Sequence, residues 1–270
     1  MRIKLLLFFL VFWNFSIFPQ NLDVTYKMVY RPNKNNLSYI EEDIFVLKIR
    51  DHQSLYFSIK YDYLINHQGE AMKQGINPNK VSNNYFIIKE DSKIFHLRPI
   101  DNDFMKYEEK EFPKWDIKDN MRQIDSLKAF KAEGSYRGRE YIAWFTTDIP
   151  VAEGPFKFKN LPGLILELRS KDGDYSITLN GIERNEEEID FPEAILIKNR
   201  EKYKELLEKF AENPSYKMQQ RDSSNSFKYK TYIGGKEVNN AEKYKAYNKF
   251  VWDFMNNHNN SIEKDELWIR

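Results

Sequence analysis

The side chains able to do acid–base, nucleophilic or metal chemistry are few and poorly spaced for it. The four histidines are His52, His67, His96 and His258. No two lie two, three or four residues apart, the spacings that put paired ligands on one strand face or one helix face. There is no cysteine, which removes a thiol nucleophile, a redox pair, an iron–sulfur cluster and any thiolate zinc site. The methionines, among them Met28, Met72, Met105, Met121, Met218 and Met255, are scattered as core fillers are. No Gly-x-Ser-x-Gly elbow and no glycine-rich phosphate loop occurs. The run Glu186-Glu187-Glu188 reads as a solvated loop, and Asp172 and Asp174 as turn residues rather than calcium ligands. Carboxylates brought together only in space, as in glycoside hydrolysis, leave no mark in a sequence. The sequence therefore gives no catalytic residue, no metal ligand set and no cofactor motif.

Charge points the same way. Lys and Arg number 42 and Asp and Glu 41, and a near-neutral chain argues against nucleic acid, whose phosphates need a basic surplus. Residues 1–20 read as a signal peptide: Arg2 and Lys4, an apolar run from Leu5 to Phe18, then Pro19 and Gln20. The run is shorter than the about 20 apolar residues of a membrane-crossing helix; the competing reading is an uncleaved N-terminal anchor. No cysteine follows it, so it is not a lipoprotein leader. The expectation is export to the periplasm, the outer envelope or the extracellular space, with no transmembrane span in the mature chain. Lys217–Lys249 interleaves Lys and Tyr (Lys228, Tyr229, Lys230, Tyr232, Lys243, Tyr244). Such a stretch could meet an anionic glycan or a membrane surface, but packed tyrosines with lysines reaching to water explain it as well.

The elements that must position any site are mostly strands. Val24, Tyr26, Met28 and Tyr30 alternate with polar or smaller residues, the period of a half-buried strand. Further strands are expected at 43–50, 54–59, 85–89, 93–97, 104–111, 114–117, 127–136, 139–147, 164–169 and 175–179. Turns fall at Glu90-Asp91-Ser92, Arg137-Gly138 and Asp172-Gly173, the last with both central residues at positive φ. Residues 60–75 suggest a short helix ending near Gly75. Helices are expected at 200–211, with Tyr203, Leu206, Leu207 and Phe210 on one stripe, and at 241–255. Residues 219–240 read as loop, with Gly234-Gly235 as a hairpin tip. The class is α+β: a mainly antiparallel sheet, curved and half-barrel-like, with a few helices toward the C-terminus. The chain divides into the signal peptide (1–20), a β-rich domain (21–200) and a helical or irregular C-terminal extension packed on it (201–270).

The densest punctuation lies at 137–168. Arg137-Gly138-Arg139, Ala143-Trp144-Phe145-Thr146, Ile149-Pro150, Gly154-Pro155, Lys157-Phe158 and Leu161-Pro162-Gly163-Leu164-Ile165-Leu166-Glu167 follow one another. Leu161-Pro162-Gly163-Leu164 fits a type II turn, with proline presetting φ and glycine supplying positive φ. This series resembles the signature of the GLPGLI family of exported envelope proteins. Asn160 stands where that family usually has glycine, and asparagine tolerates the left-handed conformation. The cysteine often found upstream in the family is absent here, so no redox role carries over. The resemblance implies an exported, β-rich protein without an assigned activity, and brings no catalytic residues.

Pro162 and Gly163 are expected to set the signature turn, with Leu161, Trp144, Phe145, Phe156 and Phe158 as apolar contacts around it. Arg137, Arg139 and Glu167 are expected to form a charge-assisted pair that orients the corner. Two functions follow: a non-enzymatic binding or scaffold protein of the envelope, taking an apolar ligand or an envelope protein, or a hydrolase acting on polysaccharide or peptidoglycan through assembled carboxylates.

Overall fold

A computed structural model describes residues 21–74, 81–101, 103–224 and 230–265. The expected signal peptide and Gly75 lie outside the described residues. The first strands are β1 (Leu22–Tyr30), β2 (Glu41–Arg50) and β3 (Gln53–Ser58), followed by helices α1 (Ile59–Asn66) and α2 (Gln68–Lys73). Then come β4 (Phe86–Glu90), β5 (Lys93–Ile100), β6 (Asp103–Glu109), β7 (Lys114–Ile124), β8 (Leu127–Tyr136) and β9 (Arg139–Thr146). After a long irregular stretch follow β10 (Leu164–Ser170), β11 (Tyr175–Arg184) and β12 (Ile195–Leu196). The C-terminal part holds α3 (Arg200–Glu212), α4 (Tyr216–Ser224), β13 (Thr231–Ile233), β14 (Lys236–Val238) and α5 (Asn240–Asn257).

The alternation in β1 is real: Val24, Tyr26, Met28 and Tyr30 are buried, and Thr25, Lys27 and Val29 half-buried. Tight turns string the strands together. Asp51, Asp91, Asp101 and Asp125 each open a hairpin in the left-handed region, which the short carboxylate side chain tolerates. Arg137 and Gly138 both have positive φ, the pattern of a two-residue hairpin. At the 171–174 connection only Gly173 does, so that turn is not the doubly left-handed one expected.

Twelve strands form one sheet in the order β12-β6-β5-β4-β3-β2-β1-β11-β10-β9-β8-β7, antiparallel except for the β12–β6 pair. This topology forces curvature. β6 and β7 are ten strand intervals apart, roughly 48 Å in a flat sheet. Residues 110–113, which join them, span roughly 18 Å at most. The sheet must therefore curl until its ends approach. The fold is α+β, with five helices among the described residues, three of them after residue 199.

Three apolar clusters hold it. The largest fills the concave face, with Tyr26, Phe45, Tyr56, Ile87, Tyr141 and Leu166 all under 2% exposed. A second, around Phe57, Tyr61 and Phe86, seats α1 on the other face. The third joins α3 and α5 to the β5–β6 end through Ile100, Tyr107, Tyr203, Leu207 and Val251. The tertiary structure adds what local pattern left out at 219–240, where α4 and the β13–β14 hairpin replace much of the expected loop, with Gly234-Gly235 as the hairpin tip. β7 also runs seven residues past its expected end at Ile117, with irregular pairing between Ile117 and Met121.

Candidate functional site

Residues 147–163, between β9 and β10, fold into the concavity as a plug. The chain turns tightly on backbone bonds from Val151 N–H to Ile149 O (2.8 Å), Glu153 N–H to Val151 O (2.7 Å) and Gly163 N–H to Leu161 O (2.8 Å). The bond around Pro162 spans two residues, and Leu164 N–H goes to Ile149 O at 3.1 Å. The expected type II turn is thus replaced by a tighter one clamped across the plug. Gly163 is still obligatory: φ is +152°, and a Cβ there would sit 1.9 Å from Thr146 O. Asn160 adopts φ +71°, the conformation its type was expected to allow. Phe156 also sits at positive φ (+53°), a strained position for a bulky residue. It is held by ring contacts to Tyr85 and His96, with centroids 5.4 and 6.0 Å away. Phe158 packs on Tyr141, Tyr136 and Trp115 at 4.6, 5.7 and 6.1 Å.

Between these rings lies Lys157, fully buried. Its Nζ is 3.0 Å from Glu109 Oε2 and 2.7 Å from Glu263 Oε1, both carboxylates shut from solvent. Glu109 in turn takes Arg137 Nη2 at 2.5 Å, and Glu263 takes Arg200 Nη2 at 3.1 Å. Asp265 bridges Arg200 (2.9 Å) and Arg137 (3.2 Å). Burial pushes the Glu109 carboxyl up, but Lys157, the Glu111 N–H and Arg137 outweigh it and hold the group at about 2. Burial pulls the Lys157 ammonium down, and Glu263 with its neighbours more than restores it. Glu109 is thus locked as an anion against cations and is not poised to move a proton.

Residues 258–265 form a strap over the same end. Arg139 donates to Asn260 Oδ1 (2.9 Å) and Ser261 O (2.8 Å), and pairs with Asp172 (2.5 Å) and Asp174 (3.1 Å). Tyr141 OH donates to Ile262 O at 2.5 Å, and Lys264 N–H to Arg137 O at 3.0 Å. The two acids of the Asp172-Gly173-Asp174 turn therefore seat an arginine.

The expected site residues separate. Arg137, Arg139, Phe156, Phe158, Leu161 and Gly163 belong to the plug or to its ionic base, and Phe145 is buried beside Phe130. Pro162 is exposed. Trp144 and Glu167 lie elsewhere: the Arg122 guanidinium stacks 4.2 Å above the Trp144 ring and pairs with Glu167, which also faces Arg169 at 3.6 Å. The expected pairing of Arg137 and Arg139 with Glu167 is corrected accordingly; their partners are Glu109, Glu111, Asp265, Asp172 and Asp174.

Sequence reasoning passed over Lys157 as a functional residue, along with Glu109, Arg200 and Glu263, because the four come from four distant segments. It also passed over a Ser-x-x-Lys spacing at Ser261–Lys264. There the Lys264 amine pairs with Asp172 at 3.0 Å, while the Ser261 hydroxyl oxygen accepts from Glu263 N–H at 3.3 Å.

Beside the plug, space remains. A void of about 40 Å³ lies between Tyr30, Tyr85, His96, Phe156 and the strap. A second, about 70 Å³, runs under α3 and α5 past Leu207, Val251 and Met255. Arg98 borders both. A third, about 410 Å³, opens between β6, α3 and α4, and shares Asp101 and Phe210 with the second. No group of three His, Asp or Glu among the described residues is arranged to hold a metal ion, and no described helix is long and apolar enough to cross a membrane.

With this geometry in view, comparison with known proteins adds a family match over part of the chain and a likeness of fold. The model of a family described as "Protein of unknown function (Porph_ging)" matches residues 102–167, the stretch from β6 through the plug into β10. No curated protein matches. Two solved structures, "Structure of PNGF-II in C2 space group" and "Structure of PNGF-II in P21 space group", superpose with TM-scores of 0.51 and 0.52 at 15% identity. Each match covers 70% of this chain and 33% of the other, so the chain spans about a third of that protein's length. At such identity the likeness is one of fold. The stretch matched by the family of unknown function is the one that plugs and locks the curled sheet.

Proposed function

We propose that this chain is an exported envelope protein of the GLPGLI type that works by binding an apolar ligand or an envelope partner rather than by catalysis. One observation carries the reading: the large void is an apolar cleft, while the charged centre is closed. Ile100, Met105, Leu206, Phe210 and Pro214 line about 410 Å³ of open space, within the range of about 300–1,000 Å³ used for small ligands. The carboxylates best placed to act as a pair, Glu109 and Glu263, are instead both held by Lys157. That weakens the alternative of a carboxylate hydrolase acting on polysaccharide or peptidoglycan.

Export to the periplasm or beyond, with residues 1–20 removed, belongs to the same reading, as does a β-rich domain carrying the C-terminal helices. The test is native mass spectrometry of the protein isolated gently from its own envelope fraction. The expected result is a chain beginning near Asn21 that retains an apolar ligand or a defined protein partner. A chain recovered empty and alone, or one that cleaves envelope polysaccharide, would reject the reading.

A further inference from the structure

His258 ends α5 and begins the strap, and its ring is tied on both sides. Nδ1 lies 2.8 Å from the Phe254 carbonyl oxygen, and Nε2 lies 3.1 Å from Glu41 Oε1. A carbonyl and an ionised carboxylate only accept hydrogen bonds, so each ring nitrogen must donate, and only an imidazolium carries a proton on both. The helix favours the same state, because its last carbonyls leave partial negative charge at the C-terminus. The ring is largely covered: it stacks on Phe254 with centroids 4.1 Å apart and meets the Tyr39 ring edge-on at 6.5 Å.

Glu41 is the fixed half of the pair. Burial pushes its carboxyl up, but hydrogen bonds from His258, Tyr30, Tyr39 and Ser82 outweigh it and hold the group at about 2. Tyr30 OH and Tyr39 OH each donate to it at 2.5 Å, and Ser82 Oγ at 2.7 Å. Burial and then Glu41 push the Tyr30 hydroxyl well up, and the bond to Glu41 pushes Tyr39 to about 12, so both remain donors through neutral pH. Asp43, two residues along β2, is pushed up by burial and takes Asn83 Nδ2 at 2.9 Å. His258, Tyr30 and Ser82 form one wall of the void of about 40 Å³, and the titratable or charged groups across it are Tyr85, His96, Arg98 and Tyr175. A guanidinium keeps its charge throughout. Burial, with Lys157 and Arg98, holds the His96 imidazole well below its ordinary value and so neutral. His258 is left as the side chain here of the type that changes charge between about pH 5 and 8.

We propose that His258 is a proton-operated latch: as an imidazolium it ties the C-terminal end of α5 to Glu41 at the start of β2, and on losing a proton it lets that end come away from the void. A neutral ring keeps one N–H, which can serve Phe254 O or Glu41; the other nitrogen then sets a lone pair against an acceptor. Two hydrogen bonds also cross from this end to the loop after β1, Asn33 Nδ2 to Asn257 Oδ1 at 3.4 Å and Lys34 N–H to Asn259 Oδ1 at 3.0 Å. From Asn260 onward the strap is pinned by bonds that do not involve the ring, Asn260 N–H to Pro32 O and Arg139 to Asn260 Oδ1, both 2.9 Å. The opening is therefore confined to the end of α5. Its sign is opposite to that of the Glu109 base: the latch is shut in mild acid and is released as pH rises.

Nitrogen magnetic resonance of the histidine rings, together with amide hydrogen exchange, tests it on the full mature chain at about pH 5.5 and about pH 8.5. At the lower pH the His258 ring is expected to carry a proton on both nitrogens. After correction for base-catalysed exchange, the amides of residues 254–258 should open at least about tenfold more often at the higher pH, the usual worth of a charged hydrogen bond. His258→Gln, uncharged at either pH, should show one level of opening throughout. A ring with a single proton at the lower pH, an α5 end equally protected at both, or a His258→Gln chain that keeps the parent's change with pH overturns the latch. The ring spectrum needs only the parent chain, which keeps the test intact should His258→Gln misfold.

Discussion

The concave interior and the cleft under the C-terminal helices are built from the same kinds of residue, yet one is full and the other open. In the interior, Phe156, Lys157, Phe158 and Leu161 come from a single short segment and fill the curl of the sheet. There Lys157, Glu109, Glu263 and Arg200 each have an opposite charge at hydrogen-bond distance. In the cleft, α3 and α5 meet the sheet through one face and leave Leu206, Phe210 and Met105 only partly covered. The signature-like residues therefore close a fold, and the open cleft lies where that signature has no residue. A family resemblance resting on Pro, Gly and Leu marks what must be tight; it does not mark what must be reached.

The contrast can be broken from its tight side first. Gly163→Val should have the largest effect, with no cooperative melt at all. The new Cβ would overlap Thr146 O, and a β-branched residue resists φ of +152°. A variant with parental circular dichroism and melting would remove the plug from its central place. Lys157→Met comes next: it removes the buried cation between Glu109 and Glu263, leaving each carboxylate only its arginine, and should cost about 3–5 kcal/mol in urea unfolding.

The plug and its base should also show in acid. Glu109 is held at about 2, below its ordinary 4.5. Its contribution to stability is complete above the unfolded value and is lost as pH falls from about 4.5 toward 2. Glu109→Gln should flatten the fall in stability across that window, measured as urea midpoints at stepped pH. A slope equal to the parent's would mean that other carboxylates carry it. On the strap, Asp265→Asn should cost about 1 kcal/mol, because that carboxylate is partly exposed and its pairs are screened. Smallest of all, Leu206→Gln should shift stability by less than about 1 kcal/mol, since the side chain borders open space rather than packed core.

These effects also divide what a sequence can carry. Strand after strand was legible because alternation and tight turns are local: β1 shows its pattern in four residues, and the Arg137-Gly138 hairpin shows its own in two. Left-handed Asn160 was legible too, from residue type alone. The closure of the sheet was not, because it follows from the pairing of β1 with β11, and those strands lie more than a hundred residues apart. The ionic base was hidden for the same reason. Glu109, Lys157, Arg200 and Glu263 are unremarkable in sequence and meet only when four segments converge. Arg139 looked like a partner for the nearby Glu167, but strand geometry turned it toward the Asp172–Asp174 turn and the strap. The missed helix α4 has a different cause: its polar sequence buries no residue, so no apolar stripe announced it.

Native-state hydrogen exchange tests the contrast most directly. Amides of the plug and of its exit into β10, such as Phe158, Gly163, Leu164 and Ile165, each hold a backbone bond inside the curled sheet. They should exchange only through global unfolding, while amides of α4, which packs no apolar residue into a core, exchange through small local openings. Protection of the plug equal to the stability measured in urea is the predicted result. Plug amides exchanging as readily as those of α4 would contradict the account, because the segment would then leave the interior easily and the sheet itself would be the place where a ligand enters.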